Sequence, residues 1–161
     1  MARRVVLVSP LSPTAMATRL REVLGDRDAA PRKGVTGQGS EAGMLLFYHR
    51  PNLTNSFRTQ LTATMEAEGS GTRIKGKLGS PVYTKVFMGC WFAFLTVFIC
   101  IASAAAFVSG KFLLAVAPLI LIPLVLMVFG VVLSKAGTWN AAKDEAAILE
   151  FLKQTVQAVP Q

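Results

Sequence analysis

The sequence predicts an α+β protein: a small antiparallel sheet with a covering helix, then a transmembrane α-helical hairpin, then a C-terminal amphipathic helix. Three observations carry that expectation. Residues 57–66 and 72–78 alternate apolar and polar side chains on either side of a glycine turn, the period of a half-buried antiparallel pair. Val86–Gly110 and Phe112–Ser134 contain no Asp, Glu, Lys, Arg or His. Each is longer than the roughly 20 helical residues that cross a hydrocarbon core. After Trp139, apolar residues recur at helical spacing.

Composition agrees. Of 161 residues, 52% are hydrophobic and 16% charged, with a mean hydropathy of +0.47. That is too apolar for an ordinary soluble domain. The net charge of +8 is unevenly placed. Residues 1–85 hold 13 Lys/Arg against 6 Asp/Glu, a balance of +7, whereas the chain after Lys111 holds three of each sign. A basic N-terminal part suits an anionic membrane surface or a nucleic acid. Nucleic acid is the poorer partner, because no helix-turn-helix, aromatic interleaving or RRM-like motif accompanies the basic residues. The start, "MARRVVLVSP", is positive like a secretory signal. Its apolar run, Val5–Val8, is shorter than the roughly 7–15 residues of a signal core. The first long apolar segment is therefore expected to act as its own targeting signal.

The N-terminal region, 1–80, reads as a cytoplasmic α+β domain. Val5–Val8 suits a strand. Ser12 then reads as a helix N-cap with Pro13 as the first helical residue, and Gly25 as the stop. Met16, Leu20, Val23 and Leu24 share one face of that helix, which is expected to pack on the sheet. Asp26 to Ser40 is polar and rich in Gly, Pro and Arg, and reads as a connection with a short strand around Val35. Met44–Arg50 is apolar and aromatic enough for another strand.

The hairpin pattern allows a register to be derived. With Gly69-Ser70 as a two-residue turn, Met65 faces Ile74 and Leu61 faces Leu78, while Glu66 meets Arg73, Thr64 meets Lys75 and Thr62 meets Lys77. A slip by one residue would oppose Glu66 to Ile74 and mix the faces. The polar face of this pair carries Arg73, Lys75 and Lys77; with Arg58 and Lys85 they form the candidate surface for anionic lipid headgroups or a protein partner.

The two apolar runs define a hairpin over 84–135, with spans 86–110 and 112–134 joined through Lys111. Arg73, Lys75, Lys77 and Lys85 precede the first span and Lys135 and Lys143 follow the second, so the positive-inside rule puts both ends in the cytoplasm. Asn52-Leu53-Thr54 is then a chance glycosylation match. Tyr83, Trp91 and Trp139 lie near span ends, where such rings favour the headgroup level. Gly89 and Ala93, and then Ala102, Ala106 and Gly110, repeat every four residues, a spacing that lets helix backbones approach closely. This helix-packing seam can face the second span or a second copy of the chain. Pro118 and Pro123 favour kinks in the second span. Neither span carries the intramembrane charge that would mark an ion or proton path.

Residues 138–158 read as a C-terminal cytoplasmic helix capped by Asn140. Ala142, Ala146, Leu149, Leu152 and Val156 form its apolar stripe, with Ile148 alongside. The sheet domain is its expected partner.

The stretch "NSFRTQLTATMEAEGSGTRIKGKLG", Asn55 to Gly79, followed by two spans, resembles a family of small uncharacterised bacterial inner-membrane proteins. Asn55-Ser56-Phe57 and the hairpin return Gly71-Thr72-Arg73-Ile74-Lys75-Gly76 carry the resemblance, which covers about residues 40 to 135. It implies a strand-rich cytoplasmic domain before a two-helix hairpin, and no activity.

Enzyme chemistry is not legible. His49 is the sole histidine and sits in a strand beside a loop. Glu66 and Glu68 fall at a hairpin tip, where solvation explains them. Cys90 and Cys100 lie in the first span, about 15 Å apart along a helix, too far to bridge each other. No Cys/His metal spacing or Ser/His/Asp arrangement is present, and no cofactor is expected. The expected function is a membrane-anchored cytoplasmic interaction module in the inner membrane. The alternatives are an oligomeric pore or transport-accessory subunit, and an undetected membrane enzyme.

Overall fold

The computed structural model describes residues 3–25, 34–51, 56–109 and 117–161. The sequon Asn52-Leu53-Thr54, Asn55, Gly110 and Lys111 lie outside the described residues. The chain divides into two compact units: Met1–Pro81 with Thr138–Gln161, and Val82–Gly137.

The first unit is an α+β head. Its strands are β1 (Arg3–Ser9), β2 (Gly34–Gly39), β3 (Gly43–His49), β4 (Gln60–Glu68), β5 (Gly71–Gly79) and a two-residue β6 (Val159–Pro160). They form one antiparallel sheet in the order β2-β3-β4-β5-β1-β6. The β4–β5 register is the one the alternation demands: Met65 opposes Ile74, Leu61 opposes Leu78 and Glu66 opposes Arg73. Gly69 makes the turn possible with a φ of 59°, a conformation that costs a glycine nothing. β4 starts at Gln60 rather than Phe57, and β6 was not foreseen. A two-residue strand has no period to read, and it exists only because β1 offers it an edge.

Helix α1 (Pro13–Leu24) forms as its punctuation dictates. The Ser12 hydroxyl accepts from the Ala15 N–H at 3.3 Å, and the Gly25 N–H closes onto the Arg21 carbonyl. Met16, Ala17 and Leu20 are buried, while Val23, assigned to the buried face by spacing, is exposed. Helix α4 (Ala141–Val156) packs beside α1, and both cover the same face of the sheet. Leu7, Leu46, Leu61, Ile74 and Leu78 from four strands meet Met16 and Leu20 of α1 and Ile148, Leu152 and Val156 of α4 in one core. The tail is thus part of the head and not a separate segment. Its far end is fastened by Ser9, whose hydroxyl donates to the Val156 carbonyl at 2.5 Å.

On α4, Ile148, Leu152 and Val156 are buried as expected, and only the first turns need correction. The expected stripe ran through Ala142 and Ala146, which are exposed. The buried line is Asp144, Ile148, Leu152 and Val156, one residue per turn. Its first member, Asp144, is charged, and a pattern reading put Ala142 and Ala146 in its place.

The second unit holds α2 (Val82–Ser109) and α3 (Ala117–Thr138), each long and apolar enough to cross a membrane. On α2, Met88, Phe92, Leu95, Ile99, Ala102 and Ala106 are buried or half-buried; on α3, Ile120, Pro123, Met127, Gly130, Ser134 and Gly137 are. Steps of three and four alternate along both, the rhythm of helices that interlock side chains along a narrow seam. The Phe92 ring and the Met88 methyl lie over Gly130, 3.3 and 3.4 Å from where its Cβ would stand. The second half of α3 therefore meets the first half of α2, as in an antiparallel hairpin. Pro118 lies at the start of the described part of α3, and Pro123 lies inside the helix.

Candidate functional site

The face of the sheet away from α1 and α4 carries the basic residues. Strand pairing arranges it in rows. One row reads Leu45, Thr62, Lys77, Arg4 across β3, β4, β5 and β1. The next, towards the β4–β5 turn, brings Thr64, Lys75 and Val6 together, and the one beyond it Glu66, Arg73 and Val8.

Charge is not uniform along these rows. Lys75 Nζ lies 2.6 Å from Glu66 Oε2, and the Arg73 guanidinium pairs with Glu68. Both candidate cations nearest the turn are therefore compensated by acids of the same hairpin. Lys77 and Arg4 are directly opposite each other, both exposed, and neither has an ion-pair partner among the described residues. Like charges directly opposed across two strands destabilise the pair. Arg58 holds its guanidinium over the Phe47 ring, 3.7 Å from the centroid, and Phe47 opposes Gln60 at the same end of β4. Lys85 is exposed in the first turns of α2, within the second unit.

The sequence register placed Glu66 opposite Arg73, and it is so placed. The ion pairs form on the diagonal, Glu66 with Lys75 and Glu68 with Arg73. Sheet twist favours one diagonal over the direct pair for long side chains. Sequence reading missed Arg4, because β1 pairs with β5 across the whole domain and no turn fixes that register.

A bidentate, part-buried ion pair lies elsewhere in the head. Arg50, just after β3, grips Asp144 of α4 with two hydrogen bonds, of 2.6 and 3.0 Å. The Asp144 side chain is only 6% exposed and that of Arg50 30%. Arg50 also lies over the Tyr48 ring at 4.8 Å. The hydrogen bond to Asp144 raises the Arg50 pKa above its ordinary value. A raised cation pKa contributes stability that is complete below the unfolded-state pKa and lost only above the folded one. For arginine that window covers all neutral and mildly alkaline pH. The pair joins helix to sheet.

His49 ends β3, half-buried, opposite Gly34. Among the described residues no group of His, Cys, Asp and Glu could hold a metal ion. A depression of about 390 Å³ at the β2–β3 turn is lined by Gln38, Gly39, Ser40, Gly43, Met44 and Leu45, without a titratable side chain. Cys90 and Cys100 are exposed thiols on α2.

The small-residue seam divides. Ala102 and Ala106 are 8% and 1% exposed, whereas Gly89 and Ala93 face outward, and nothing lies within 4 Å of a Cβ built on Gly89. Ala106→Leu should therefore overpack the second unit and cost about 1–3 kcal/mol, while Gly89→Leu should not. Thermal stability of the two variants in the same detergent separates them; equal losses would contradict the division.

No family model, curated protein or solved structure matches the chain.

Proposed function

We propose that the protein is an integral protein of the bacterial inner membrane. In this reading α2 and α3 span the bilayer as a hairpin and present the α+β head to the cytoplasm as an interaction module. One observation carries it. The chain before α2 and the chain after α3 share a single hydrophobic core, so both must lie on the same side of any membrane the helices cross. A chain that leaves a compact domain, crosses once and crosses back satisfies that condition.

The exposure of the helices supports the same reading. Only 17% of the most apolar stretch of α2, and 11% of that following it, is buried. A core helix of a soluble protein would be mostly covered, because uncovered apolar surface costs about 25 cal/mol per Å² in water. Phe107 and Val108 are 82% and 86% exposed. Lys/Arg residues before α2 and after α3 outnumber the single Lys111 between them, which favours cytoplasmic chain ends.

Two measurements test this. Carbonate washing should leave the protein in the membrane fraction. With Cys90 and Cys100 replaced by alanine, an impermeant maleimide added to spheroplasts should label Lys111→Cys and spare Lys153→Cys. Release by carbonate, or labelling of position 153, would overturn the reading.

A further inference from the structure

The outer face of the head has one unexplained feature: two cations stand in register across neighbouring strands, and neither has an ion-pair partner among the described residues. Arg4 and Lys77 are directly paired across β1 and β5. Folding could have relieved this, since the same face supplies Glu66 and Glu68, but those acids are engaged by Lys75 and Arg73. The face is therefore graded. Its end at the β4–β5 turn is neutralised, and its opposite end is not. Arg4 and Lys77 belong to the uncompensated end, together with Arg58 above Phe47. That is the end at which β5 finishes, and only Ser80 and Pro81 separate it from α2.

We infer that the Arg4–Lys77 row, with the Thr62 hydroxyl beside it and Arg58 at the same end, is the docking surface of the head for anionic phospholipid. The inference rests on the proposal that α2 and α3 span the membrane. Strand connectivity then keeps the last residues of β5 within a few residues of the headgroup layer. A phosphodiester between Arg4 and Lys77 supplies the negative charge that the head itself withholds, and relieves the opposition of the two cations. Each Lys or Arg close to an anionic leaflet favours the surface-bound state about fivefold, and the attraction fades within a Debye length. The lipid surface is the committed occupant because the unmatched cations lie where the chain enters its first span, and the matched ones lie away from it.

The test uses the full chain in nanodiscs of phosphatidylcholine alone or with 30% phosphatidylglycerol (roughly the charge density at which such attraction operates). Lysine acylation is read residue by residue. Lys77 should react about five times more slowly in the anionic discs, and Lys153, exposed on α4, should not change. Arg4→Gln should restore most of the Lys77 reactivity, and so should 1 M salt. Equal Lys77 rates in both lipids, with the protein inserted in both, would overturn the docking surface while leaving the membrane proposal standing. Failure of the protein to enter either disc would overturn the membrane proposal, and the docking surface with it. A third arm adds millimolar inorganic phosphate to neutral discs. Protection of Lys77 there, equal to that in anionic discs, would assign the row to a soluble anion and overturn the lipid surface. No protection there supports it.

Discussion

Arg50→Ala should destabilise the head by about 3 kcal/mol, because it strands the buried Asp144 carboxylate without its cation. For a domain of this size that is a fall in midpoint of roughly 10–20 °C, readable by heat-pulse proteolysis of the detergent-solubilised protein. Asp144→Ala should cost less, since the partly exposed Arg50 regains water. The double variant should lose clearly less than the sum of the two, because each single change removes the same interaction. Replacing both by Met and Leu should come close to the parent, as a buried ion pair is often matched by an apolar pair of similar volume. A loss under about 1 kcal/mol for Arg50→Ala would show that the bidentate contact does not hold α4 to the sheet.

Leu152→Ala is the second large effect. Leu152 is fully buried at the meeting of α4, α1 and the sheet. Removing its side chain there should cost about 3–4 kcal/mol, the transfer of the lost methyl groups plus the cavity left by incomplete relaxation. Ala142→Ser and Ala146→Ser, on the face the sequence stripe marked, should stay within about 0.5 kcal/mol, since both positions are exposed. The contrast fixes the rotation of α4 about its axis. Comparable losses at Ala146 and Leu152 would place a different side of the helix on the sheet.

These two predictions concern the places where the sequence was hardest to read. The β4–β5 register was legible to the residue because the alternation has a period of two and its glycine turn fixes the pairing. The α1 boundaries were legible because a serine cap, a proline and a glycine each have a local reason for their positions. Helix α4 was read correctly over Ile148, Leu152 and Val156 and wrongly in its first turns, because Asp144 looks solvated until Arg50, far away in the chain, is known to reach it. The candidate surface was half legible. Lys77 lay on the expected face, but which cations are neutralised depends on diagonal ion pairs and on the neighbour that β1 brings.

By itself the sequence determined the α+β class, the hairpin register, the capped first helix and two helices of membrane-spanning length and apolarity. All of these follow from periods, caps and composition, which act over a few neighbouring residues. The tertiary structure decided the strand order, the docking of α4 into the same core as the sheet, and the opposition of Arg4 to Lys77. Each of these joins segments with no turn between them to set their register, so the outcome depends on which surfaces bury one another.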